Sequence, residues 1–252
     1  MIFKIIAVIT AVYAIYRLPS ALVRLKKIFV VDWEREKKKF IRKHGGISPD
    51  GEERKLVGTI TRRLVACSDR PDLKYTVDVL ATSDLEACAL DNHIFISRSW
   101  LPFLAGDSHL VAAILAHELV HVMARHGRVR SVYRKIMTAI ELLLSFMRIS
   151  SIFSRLIHYA FKYSEADNSR DNEREADRKA TRLLEKAGFR PRAMEELLKR
   201  LAEAYESEGG GKPKENMIGN LKNTIERFFA THPELRDRID ELKKGREPAK
   251  RK

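Results

Sequence analysis

His117-Glu118-Leu119-Val120-His121 stands inside the stretch Leu110 to Gly127, which is apolar almost throughout. That composition predicts a buried helix rather than a surface one. Residues four apart on a helix lie one above the other, so the two imidazoles share a face. Two histidines and a glutamate are costly to bury unless something compensates them, and a divalent cation does so. The pattern H-E-x-x-H therefore predicts one zinc ion held by His117 and His121, with Glu118 placed to act as general base on a water. The plainer alternative, a helix that happens to expose two histidines, conflicts with its apolar flanks. Asp107 and Ser108 are natural N-caps, and Gly127 is a natural residue after the helix end. His126, five residues beyond His121, points off the ligand face and reads as a local structural or supporting group.

A catalytic zinc site needs a third protein ligand and an open position. The candidate stretch is Ser169-Arg-Asp-Asn-Glu-Arg-Glu-Ala-Asp-Arg-Lys-Ala180, the opening of a second helix. On helical geometry Glu173 shares a face with Ala176, Asp177, Ala180 and Leu184, the face that packs inward. Glu175 falls on the other side, with Arg174 and Arg178, and reads as a surface carboxylate. Glu173 is the expected third ligand, and Asp177, one turn on, is expected to orient a ligating imidazole. The earlier Glu165-Ala-Asp167 imitates this motif without a glutamate at the required spacing before it.

These paired motifs resemble the zinc metallopeptidase family that includes HtpX and the CAAX prenyl protease, a gluzincin group. Its pattern, H-E-x-x-H followed by S-R-x-x-E-x-E-A-D, is matched at every fixed position from Ser169 to Asp177. Two further stretches agree, Ala187 to Met194 and Thr231-His-Pro-Glu-Leu-Arg-Asp-Arg-Ile239, and the likeness covers roughly residues 50 to 243. The resemblance implies that His232 and Arg238 face the cleft, where they could steady an oxyanion or the substrate. It also implies that the strand before the active helix, His93, Ile94, Phe95 and Ile96, offers an edge to an extended peptide. Here Glu86 to Ser97 departs from relatives, which carry N-A-F-A-L-P-G-G before an aliphatic strand, so substrate preference is the property most open to change. Cys88 could be offered as a third ligand in the manner of peptide deformylases. The glycine-cysteine turn of those enzymes is missing, and Cys88 reads better as a small hydrophobe.

The chain has 252 residues, a formal charge of +14 and two cysteines, Cys67 and Cys88. That spacing supports neither a zinc ribbon nor a disulfide framework. The charge calls for an anionic partner surface. Basic residues scatter along helices without interleaved aromatics, which argues for an anionic membrane and against nucleic acid. Met1 to Tyr16 is apolar apart from Lys4 and Thr10, but its uncharged core is shorter than the ~20 residues of an ordinary span. A retained anchor is favoured over a cleaved, exported leader, and the denser positive charge after it places the catalytic body on the cytoplasmic side.

The expected organisation is an anchor at 1–31, a charged helical linker at 32–48, a peptidase domain at 49–243 and a basic tail at 244–252. Trp33 to Lys43 reads as a charged helix ended by Gly45-Gly46. Glu52 to Cys67 reads as an amphipathic helix with Leu56, Ile60, Leu64 and Val65 inward, and Tyr75 to Leu80 and Ala87 to Ser97 as strands. The apolar residues of Ser131 to Phe161 suit either core packing or an interfacial helix. Ser207 to Pro213 reads as a flexible loop. The fold class is α+β, predominantly helical, with a zincin-like core and a small sheet beside the H-E-x-x-H helix. The functional expectation is a membrane-associated zinc endopeptidase acting on proteins, with misfolded membrane proteins as the quality-control substrate. The competing function is a metal-stabilised chaperone or adaptor for unfolded membrane segments, which has no need of a general base.

Overall fold

The computed structural model describes residues 32–126, 131–132, 135–136, 139–140, 170–207 and 237–238. The elements are α1 (Trp33–Lys43), α2 (Gly51–Ala66), β1 (Thr76–Leu80), β2 (Ala87–Leu90), β3 (His93–Ser97), α3 (Trp100–Phe103) and α4 (Ser108–Ala124). They are followed by α5, the helical residues 170–186, and α6 (Ala193–Ser207). Among the described residues the result is a mostly helical α+β arrangement with one three-stranded sheet. The expected anchor, His232, Glu165-Ala-Asp167, most of 131–161, the loop after Ser207 and the basic tail lie outside the described residues. No described helix is long and apolar enough to cross a membrane.

Helix boundaries fall where the side chains supply caps. Asp50 accepts from the amides of Glu52 and Glu53, and Asp107 from those of His109 and Leu110, which satisfies donors that a helix start leaves unpaired. Gly45 and Gly46, at φ +78° and +89°, turn the chain after α1 into conformations that L side chains resist. The backbone then joins the sheet: Ser48 N–H donates to Val79 O at 2.7 Å, and Ile47 bridges Leu80.

In α2 the buried set is Val57, Ile60, Thr61, Leu64 and Val65, a strict helical stripe. Leu56, expected inward, is exposed, because the stripe is phased one residue later. Every residue of α4 from Leu110 to Val122 is buried. It packs against α2, α6, β2 and β3, which accounts for a sequence apolar on all sides. Trp100, Leu64, Leu184 and Met194 pack in the same core as its own Leu115 and Leu119, each with at most 1 % of its surface exposed. Each such side chain contributes about 1.5–3 kcal/mol of burial, so α4 is held rigidly enough to present its polar residues in one geometry.

The sheet order is β1-β3-β2, with β1 parallel and β2 antiparallel to β3. Asp91-Asn92 makes the expected tight turn between β2 and β3, with Asp91 at φ 58°. The strand expected to offer an edge, His93 to Ile96, is instead the centre of the sheet and is paired on both sides. All five β3 residues are buried, as a central strand requires, so among the described residues the edges belong to β1 and β2. His93 serves the sheet: its Nε2 lies 2.9 Å from Asp78 Oδ2, and its Nδ1 contacts Thr76 Oγ1.

Candidate metal centre

Helix α4 sets His117 and His121 one turn apart, and α5 brings Glu173 against both. Glu173 Oε2 lies 3.2 Å from His117 Nε2, and Oε1 lies 3.3 Å from His121 Nε2. The two Nε2 atoms are 3.1 Å apart. Tetrahedral ligands at the ~2.0–2.1 Å typical of zinc lie ~3.3–3.4 Å from one another, so these three edges outline one face of such a site. All three side chains are buried and offer atoms within 4.8 Å of one another.

Glu118, Glu173 and Asp177 are 1 %, 1 % and 2 % exposed, and Arg238 is 3 % exposed. Three buried carboxylates beside one guanidinium leave two negative charges, the deficit that a divalent ion cancels. Without an ion His117 supplies positive charge. Burial pulls the His117 pKa down, yet hydrogen bonds and charge from Asp177 and Glu173 prevail and raise it to about 10. Burial likewise pushes the Asp177 carboxyl up, but Arg238 and then His117 overcome this and hold it at about 2. The Arg238 guanidinium, disfavoured by burial, is kept charged by Asp177, Glu173 and Glu118.

Asp177 stands one turn beyond Glu173 on α5. Its Oδ1 lies 3.0 Å from His117 Nδ1, the nitrogen turned away from the ligand face. Arg238 Nε donates to Asp177 Oδ2 at 2.6 Å, and its second terminal nitrogen donates to Oδ1 at 2.7 Å. The remaining nitrogen lies 3.2 Å from Glu173 Oε2. Arg238 thus contacts the two acids of α5 through all three nitrogens. On β2, burial, reinforced by the charges of Glu118 and Glu86, pushes the Cys88 thiol well above its ordinary pKa. Cys88 is not among the residues brought together at the ligand cluster.

Helix α4 ends sooner than Gly127 suggests. Arg125 is the left-handed cap at φ 57°, and its N–H bonds back into the last turn. That reversal swings His126 towards the site, with Nδ1 2.9 Å from His121 Nδ1. Its Nε2 lies 3.7 Å from Glu175 Oε2, and Glu175 Oε1 lies 2.6 Å from Lys179 Nζ. The expectation that Glu175 is a plain surface carboxylate is therefore incomplete, since one oxygen faces the site's outer layer.

The model of "Peptidase family M48" matches residues 52–246. Among curated proteins, mitochondrial metalloendopeptidase OMA1 of Schizosaccharomyces pombe is 27 % identical over 188 residues, covering 74 % of this chain and 51 % of that protein. The chain thus spans about half the length of that relative. Since the match runs through both motif helices and more than half of the sequence, the chain belongs to peptidase family M48, the metallopeptidase family its paired motifs resemble.

Proposed function

We propose that this chain is a membrane-associated zinc endopeptidase whose ion is held by His117, His121 and Glu173. The convergence of two imidazoles and one carboxylate at 3.1–3.3 Å, in a pocket two positive charges short of neutrality, carries this reading. Zinc bound there would lower the pKa of a water towards ~7 and polarise the scissile carbonyl. Glu118 is the proton carrier: its carboxylate takes the water's proton and returns it to the leaving amine. Asp177 fixes the ring of His117, and Arg238 fixes Asp177. With its guanidinium turned to those acids, Arg238 is a positioning residue for the ligand set. His232, carried by the resemblance alone, remains the proposed donor to the developing oxyanion.

The substrates are peptides or proteins, as peptidase membership implies. Misfolded membrane proteins are the proposed quality-control targets, supported by the apolar N-terminus and the charge of +14. The same features support attachment to an anionic membrane, with the domain on the cytoplasmic side. The test is Glu118→Gln in the full chain. It should keep zinc at one ion per chain while hydrolysis of an unfolded protein substrate falls by a factor on the order of 10²–10⁴. Undiminished cleavage by that variant overturns the general-base assignment. Equal zinc content in wild type and Glu173→Ala overturns the ligand set.

A further inference from the structure

Each ligating histidine must present the lone pair of Nε2 to an ion, so its proton resides on Nδ1. For His117 the acceptor of that N–H is plain, since Asp177 Oδ1 stands 3.0 Å away. For His121 the group at that nitrogen is His126, with Nδ1 2.9 Å from His121 Nδ1. Two facing imidazole nitrogens share one proton. If His121 Nδ1–H donates, His126 Nδ1 must accept, and the proton of a neutral His126 then lies on Nε2. That atom faces Glu175 Oε2 at 3.7 Å, and Glu175 is in turn anchored by Lys179 at 2.6 Å.

We infer that His126 and Glu175 form a positioning relay for His121, in which the second glutamate of Glu173-Arg174-Glu175 sets the tautomer of His126 and so that of His121. The inference rests on the zinc-site reading above. Both histidines then answer to an acid on α5, His117 directly and His121 through one intervening ring. The two arms differ because their surroundings differ. His117 lies mid-helix, where α5 packs closely enough for a carboxylate to touch it. His121 lies in the last turn of α4, and the left-handed Arg125 lets the chain fold an imidazole back across that turn. The rings of His121 and His126 have centroids 5.0 Å apart and planes at 73°, and it is their Nδ1 atoms that approach to 2.9 Å.

The test measures Zn²⁺ affinity of the full chain by chelator competition, and the visible spectrum of its Co²⁺ form, for wild type and four variants. His126→Phe removes the acceptor and should weaken Zn²⁺ binding ~10–100-fold, the range for lost support of a ligating histidine. His126→Asn restores an acceptor at the position of Nδ1 and should recover most of that loss. Glu175→Ala should weaken binding less than His126→Phe does. The double variant His126→Phe/Glu175→Ala should bind no worse than His126→Phe alone, because Glu175 acts only through the ring. The Co²⁺ band should shift in His126→Phe and return in His126→Asn. Additive losses for His126→Phe and Glu175→Ala overturn the relay, as does unchanged affinity in His126→Phe. Failure of the wild type itself to bind Zn²⁺ overturns the zinc-site reading instead, so the two failures are distinct.

Discussion

Replacing Asp177 by Asn changes one oxygen into an amide nitrogen, yet both oxygens of Asp177 are already accepting. Oδ1 takes His117 Nδ1 at 3.0 Å and one Arg238 nitrogen at 2.7 Å, while Oδ2 takes Arg238 Nε at 2.6 Å. Whichever way the amide is turned, an NH₂ group meets an N–H donor. Breaking a buried ion pair from one side removes ~3–5 kcal/mol. Arg238 keeps Glu173 at 3.2 Å, so the lower end, ~3 kcal/mol, is the expected loss for the metal-free protein. Against the ~5–15 kcal/mol stability of a typical domain this is large without being fatal to folding. The loss should be read by urea unfolding of the metal-free full chain, as a fall in midpoint at constant slope. Zinc affinity should fall ~10–100-fold in parallel, because the ring of His117 loses its orienting acid. An unfolding midpoint within error of wild type, together with affinity within twofold, would refute the claim that Asp177 carries both loads.

Asp107→Ala removes the cap of α4 and its 2.6 Å contact with Arg190, and should destabilise by ~1–2 kcal/mol at neutral pH. Burial raises the Asp107 pKa, but the Arg190 hydrogen bond and then the His109 amide outweigh it and hold the carboxyl below its usual value. Its contribution is therefore present above the unfolded pKa of ~3.9 and lost as pH falls through the lower folded value. The gap between wild type and variant in urea midpoints should shrink on going from pH 7 to pH 3, and a constant gap would show that charge is not involved. A second expectation concerns the sheet: Ser97 N–H donates to Glu86 O at 2.8 Å, so along the antiparallel ladder Ala87 and Ala89 turn their backbone groups away from β3. Binding of an uncleaved peptide to Glu118→Gln should protect the Ala87 and Ala89 amides from hydrogen exchange, and protection gained only in β3 would refute this edge.

Local chemistry made much of this molecule legible in the sequence. The cap at Asp107 and the glycine stop after α1 depend on neighbours within four residues, which a sequence displays directly. So does the choice of Glu173 over Glu175 as the inward residue, since helical phase alone separates residues two apart. The misphased Leu56 marks the limit of that logic: Leu56 and Val57 are both apolar, and only the direction of α4 decides which is covered.

What escaped the sequence depended on distant partners or on a chain reversal. Arg238 meets Asp177 across 61 positions, and no periodicity links them. The sequence does not separate the edge strand from the central one, because β2 and β3 are both short and apolar. Their burial is what separates them: β3 is covered at every position, whereas only Ala87 of β2 is. His126 is the most instructive case. A helix continued to Gly127 would carry its ring off the ligand face, and that reasoning is sound for a helix of that length. Ending α4 at Ala124 leaves the supporting role in place and gives it a contact, because the left-handed Arg125 brings His126 Nδ1 to 2.9 Å from His121 Nδ1. A motif such as H-E-x-x-H can thus be read from helical spacing, whereas the groups that orient its second histidine depend on where the helix stops. In a metal site the least legible residues are therefore those that support the ligands from beyond the regular helix, and a cap position followed by histidine is the signal to look for them.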